Sequence, residues 1–238
     1  MRTRQVEVCC TSMADVIAAR DGGAVRVELC SGIEVGGLTP SAGLIVGAVR
    51  EKGMMRVNVL IRPRGGDFVY STRELAVMEA DIEAAKAAGA DGVVTGALTP
   101  RGDIDIAAMR RLLKHCEGLD ITFHRAFDEC RDPASALEEI IELGIPRLLT
   151  SGTKATAAEG TDIIAALVRQ ANGRNAVMPG SGINPQNIAQ VETLTGAPEY
   201  HSTCTDKATP PPCASPLFGT APRPTSAEIV SRIVHTES

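Results

Sequence analysis

The stretch VEVCCTSM, residues 6–13, decides between the two folds that a chain of 238 residues allows here. Val6 and Val8 alternate with Glu7 and Cys9, so the run reads as a strand with one apolar and one polar face. It passes into a helix at Ser12, a residue type that caps helix N-termini by accepting a backbone N–H. A doubly wound dinucleotide-binding sheet would carry a GxGxxG turn at this junction. CCTSM contains no glycine. The alternative is an α/β chain folded as a (β/α)8 TIM-type barrel in a single domain, which typically runs to about 250 residues.

Working outward, the same strand-then-helix unit recurs to the end of the chain. Strand runs are VEV at 6–8, VRVEL at 25–29, VNVLI at 57–61, GVVT at 92–95, ITF at 121–123, RLLT at 147–150, AVM at 176–178 and EYH at 199–201. Helices are predicted over 12–21, 41–51, 72–88, 105–115, 132–143, 156–171, 185–195 and 226–235. Ser12, Ser41, Thr72 and Asp132 (before Pro133) supply N-caps, and Gly53, Gly89, Gly144 and Gly173 supply C-terminal stops. Eight such units without a composition break predict a barrel body over 1–202, a Pro-rich segment over 203–225, and a last helix over 226–238 of the same domain.

Composition removes several function classes. The 24 Lys and Arg against 29 Asp and Glu give a net charge of −5, the opposite of a nucleic-acid footprint. Four Phe, two Tyr and no Trp offer no base-stacking platform. Apolar runs such as 163–168 fall far short of the roughly 18 residues of a spanning helix. The opening MRTRQVEVCC has no apolar h-region, so no secretory signal is expected. Seven Cys, an odd count without a CxxC pair, argue against a zinc knuckle or disulfide framework. A cytoplasmic location is the expectation.

Strand parity places the chemistry. Glu7 and Cys9, Arg26, Glu28 and Cys30, Asn58, Leu60 and Arg62, and Thr122 and His124 share the face opposite the apolar residues. In a barrel that face points inward. Barrel interiors are normally branched and apolar, and buried charges must be paired, so two carboxylates are expected to face Arg62 and a histidine. Glu7, Glu28, Arg62, His124 and Asp128 form either an acid–base catalytic set or an internal ion-pair network. RPRGGDF at 62–68 adds Arg64 and Asp67. MPGSGIN at 178–184 places Gly180, Ser181 and Gly182 before a helix capped near Asn184, which suits an anion such as phosphate or is simply a tight turn. Cys9 and Cys30 end adjacent strands at inward positions, about 4.8 Å apart. They can hold a soft ion such as Cu(I) or serve as small buried apolar groups. Cys10 has the opposite parity.

Together VEVCC, RVELCSGIEVGGLTPS, IRPRGGDFVYS, TFHRAFD, RLLTSG and MPGSGI, spread in order over residues 6–201, resemble the CutC family of copper homeostasis proteins. The resemblance implies a (β/α) barrel, often an oligomer, with cytosolic Cu(I) binding by cysteines that fall on Cys9, Cys10 and Cys30. It also maps shared polar residues onto Glu7, Glu28, Arg62, His124, Asp128 and His201, a set closer to an active site than a copper carrier needs. Two functions are therefore expected as alternatives: Cu(I) binding at the rim of the first two strands, or a metal-independent barrel enzyme acting on a small anionic, phosphorylated or sugar-like substrate. Here Arg62, Arg64, Gly180, Ser181 and Gly182 would hold the anion. After His201 the chain departs from the family: HSTCTDKATPPPCASPLFGTAPRPT carries six Pro and reads as a loop over the rim, with Cys204 and Cys213 of undefined role.

Overall fold

The computed structural model describes residues 3–205 and 223–235. Eight strands alternate with eight helices: β1 Gln5–Cys10, α1 Met13–Asp21, β2 Arg26–Leu29, α2 Ala42–Glu51, β3 Arg56–Leu60, α3 Thr72–Ala87, β4 Gly92–Thr95, α4 Ile106–Leu113, β5 Asp120–Phe123, α5 Pro133–Glu142, β6 Arg147–Thr150, α6 Thr161–Ala171, β7 Ala176–Pro179, α7 Ile188–Thr195, β8 Glu199–Ser202 and α8 Ala227–Val234. All ladders are parallel, in the order β7-β6-β5-β4-β3-β2-β1-β8. This is the (β/α)8 barrel of the sequence reading, with a seam where β7 meets β8.

The helix starts follow local chemistry. Ser12, Ser41 and Asp132 accept backbone N–H groups at N-caps, as expected. The cap of α3 is Ser71 and not Thr72, because Ser71 forms a capping box with Glu74. Two helices start later than predicted, α6 at Thr161 and α7 at Ile188. Asn184 and Asn187 explain the second case: Asn187 Oδ1 accepts from Asn184 N and Asn184 Oδ1 from Gln186 N, closing a turn ahead of the helix. Thr205 bridges Thr225 in antiparallel fashion, joining the two described ends of the Pro-rich segment. Residues 206–222, Cys213 among them, lie outside the described residues.

Strand parity sorts the side chains as the alternation predicts. Val6, Val8, Val27, Leu29, Val57, Val59 and Val93 join the apolar layer between strands and helices, whereas Cys9, Cys30, Leu60 and Val94 form a separate small cluster. The N-terminal half of the interior is ionic. Arg26 pairs with Glu7 and, at 2.5 Å, with Glu199; Arg147 pairs with Glu199 and Asp120, each at 2.7 Å. Arg26 also reaches the Met178 sulfur of β7 at 3.5 Å. These contacts tie β2, β5, β6, β7 and β8 together, and they span the seam that no backbone ladder crosses.

The candidate site at the barrel mouth

A cavity of about 320 Å³ opens at the C-terminal ends of the strands, where the βα loops of a barrel build ligand sites. Its lining includes Cys9, Glu28, Arg62, His124, Ser181, Gly182 and His201. Register accounts for the charged groups next to His201. Glu7 stands opposite Arg26 on one side and His201 on the other, and it bonds both, accepting from His201 Nδ1 at 2.8 Å. Burial pushes the Glu7 carboxyl up, but the charges and hydrogen bonds of Arg26 and His201 override it and hold the group at about 2. Burial likewise lowers His201, and its bond to Glu7 together with the charges of Glu28 and Glu7 raises it above its ordinary value.

Glu28 has the opposite fate. Burial dominates, Glu7 repels it and His201 only partly offsets this, so its carboxyl rises to about 7. Its Oε2 is buried without a hydrogen-bond partner. Just after β5, His124 accepts the N–H of Ala126 at Nδ1, 3.2 Å away, and leaves Nε2 without a partner among the described residues. Burial and then the nearby Arg62 cation depress His124 to about 3, so the ring is neutral at physiological pH. Gly96 makes room for it: a Cβ there would lie 2.8 Å from two atoms of the His124 ring.

Arg62 does not face the two carboxylates that parity suggests. Its Nη1 donates to the carbonyls of Val35 and Gly37 and its Nη2 to that of Gly66, each at 2.8 Å, while the Phe68 ring lies 4.9 Å from the guanidinium. The cation that meets Glu7 is Arg26, which belongs to the same inward row but was not placed in the predicted cluster. Asp128 is an anchor: it accepts from the Thr150 and Ser151 hydroxyls, from the N–H groups of Ser151 and Thr153, and from Arg125. Arg64 pairs with Asp67 and Glu74 and is not among the cavity-lining residues. Gly180 reflects packing at the seam, since a Cβ would lie 2.5 Å from Leu149 Cδ1 and 3.3 Å from His201 Cβ. Ser181 and Gly182 do line the cavity, but the Ser181 hydroxyl donates to the Ala155 carbonyl and α7 starts only at Ile188. The predicted helix N-terminus therefore does not stand behind the turn.

The thiols divide as parity predicts. Cys9 and Cys30 meet Sγ to Sγ at 3.5 Å, and with a Glu28 oxygen their ligand atoms all lie within 4.8 Å of one another. Cys10 turns into the strand–helix layer, where burial and the nearby Asp15 raise its thiol. It is separated from the pair by the strand's own alternation and joins no metal-ligating group among the described residues. Cys204 is likewise buried in that layer.

The sequence model of the CutC family matches residues 4–206. This chain belongs to the CutC family. The CutC protein of Bacteroides thetaiotaomicron is 52% identical to it over 201 residues, which cover 84% of this chain and 81% of that one. The CutC protein of Xanthomonas campestris pv. campestris strain 8004 is 50% identical over 197 residues, covering 83% and 82%. Among solved structures, CutC of Streptococcus agalactiae, a protein named for copper homeostasis, superposes with a TM-score of 0.80 at 37% identity, covering 84% of this chain and 98% of that one. No helix among the described residues is long and apolar enough to cross a membrane.

Proposed function

We propose that this CutC-family chain takes part in copper homeostasis in the reducing cytoplasm, binding Cu(I) as cargo between Cys9 and Cys30. The observation that carries the reading is the pair of buried thiols 3.5 Å apart, one of which opens onto the mouth cavity. Soft sulfur donors select Cu(I) over harder ions, so the donor set fits. Bound there, the ion supplies a positive charge that favours two thiolates.

The surroundings make loading proton-coupled. Cys9 is raised well above an ordinary thiol by its hydrogen bond to Cys30, by burial and by the charge of Glu28. Ligation therefore releases protons, and affinity is expected to fall as pH falls. Copper K-edge absorption on anaerobically loaded protein tests the donor set. Sulfur scatterers in the wild type that disappear in Cys9→Ser/Cys30→Ser are the expected result. Coordination by nitrogen and oxygen alone in the wild type would contradict it.

A further inference from the structure

Among the described residues, Arg62 is a buried cation without a counter-ion. Its side chain lies at the cavity, only 4% of the residue is exposed, and its partners are three neutral carbonyls and an aromatic ring. Carbonyls replace part of its hydration and leave its charge unneutralised, whereas Arg26 deeper in the barrel meets two carboxylates. A buried charge left unpaired is costly, and an anionic ligand would supply the missing charge.

Two further groups on the same cavity want partners. His124 accepts the Ala126 N–H at Nδ1, so its neutral ring carries the proton on Nε2, a donor with no acceptor among the described residues. Glu28 offers Oε2, buried and without a hydrogen-bond partner among the described residues. Both residues are more than nine-tenths buried. Phe68, Leu149 and Ile183 supply apolar wall between these polar groups. A volume of about 320 Å³ is at the small end of ligand pockets.

We infer that the barrel mouth is a binding site for a small hydroxylated organic anion, a phosphorylated or carboxylated polyol, with its acidic group on Arg62 and its hydroxyls on His124 and Glu28. Neither sulfur takes part, so anion binding does not require copper, although Cys9 lines the same cavity and Glu28 lies beside both thiols. A copper-binding pair has no use for an uncompensated guanidinium or an idle imidazole donor, and this ligand uses both.

Isothermal titration of the reduced, chelator-treated protein with glycerol 3-phosphate, glycerate, inorganic phosphate and glycerol tests the assignment. One of the two hydroxylated anions is expected to bind with 1:1 stoichiometry, about tenfold or more tighter than both phosphate and glycerol, as one charge-assisted contact warrants. Arg62→Met should weaken it by about tenfold or more, and His124→Phe should weaken it severalfold should Arg62→Met fail to fold. Cys9→Ser/Cys30→Ser should bind the anion as the wild type does, which keeps this result separate from the copper reading. Failure of both anions to bind, equal affinity for phosphate or glycerol, or unchanged affinity in both pocket variants would overturn the inference.

Discussion

Replacing Arg26 by alanine is expected to destabilise the protein by about 3–5 kcal/mol at neutral pH, the cost of stranding a buried charge. The guanidinium is nearly inaccessible and serves Glu7, Glu199 and the Met178 sulfur at once. Its loss leaves Glu7 with no solvent access and His201 as its remaining partner. It also removes a side-chain link across the β7–β8 seam, where no ladder holds the strands. The pH dependence carries a sign. With Arg26 present, Glu7 is held at about 2, so it contributes stability that is present above its unfolded value near 4.5 and lost as pH falls through 2. Without Arg26 burial prevails, the carboxyl takes up a proton more readily, and the deficit of the variant shrinks on acidification. Denaturant unfolding at several pH values measures this. A small deficit that does not vary with pH would contradict the ionic account of the interior. Arg20, which pairs with Asp21 and Glu51 on the surface, is the matched control and is expected to matter far less.

His124 yields the second large effect, with the opposite linkage. Its folded value of about 3 lies below the ordinary histidine value of 6.5, so the unfolded chain binds the proton first. Stability is therefore unaffected by this group above 6.5 and is lost progressively as pH falls towards 3. Between pH 7 and 4 the loss amounts to about 3 kcal/mol. His124→Gln keeps an acceptor for the Ala126 N–H but has no such titration. Near pH 7 the variant should be the less stable, because it gives up ring contacts with Phe68 and Phe123. Towards pH 4 it should gain on the wild type by about 3 kcal/mol. Parallel stability profiles would show that His124 is not held neutral by its surroundings.

How far these features can be read from the sequence differs between the strands and the site. Alternation alone assigned Val6, Val8, Val27 and Leu29 to the helix layer and Glu7, Cys9, Glu28 and Cys30 to the interior, because a period of two leaves no other choice. The same parity separated Cys10 from Cys9. What alternation cannot supply is the neighbour across the barrel, which depends on strand tilt and stagger. Arg62 was therefore matched to carboxylates when its partners are loop carbonyls at Val35, Gly37 and Gly66. Of the ring of Arg26, Asp120, Arg147 and Glu199, the alternation placed only Arg26 on the inward face, and opposite charges so far apart in sequence announce no pairing. Asp128, grouped with His124 as part of either a catalytic set or an ion-pair network, holds the loop after β6 and is not among the cavity-lining residues. The Ser71 cap was missed in favour of its neighbour, although Glu74 three residues on marks it as a capping box.

The thiol pair built by two adjacent strands is proposed to bind Cu(I). An anaerobic competition titration of the reduced wild type against a chromogenic Cu(I) chelator, run beside Cys9→Ser/Cys30→Ser and Cys10→Ser, tests it most directly. One tightly held Cu(I) per chain is expected in the wild type and in Cys10→Ser, and none in the double variant. Equal Cu(I) affinity in the wild type and the double variant would contradict it.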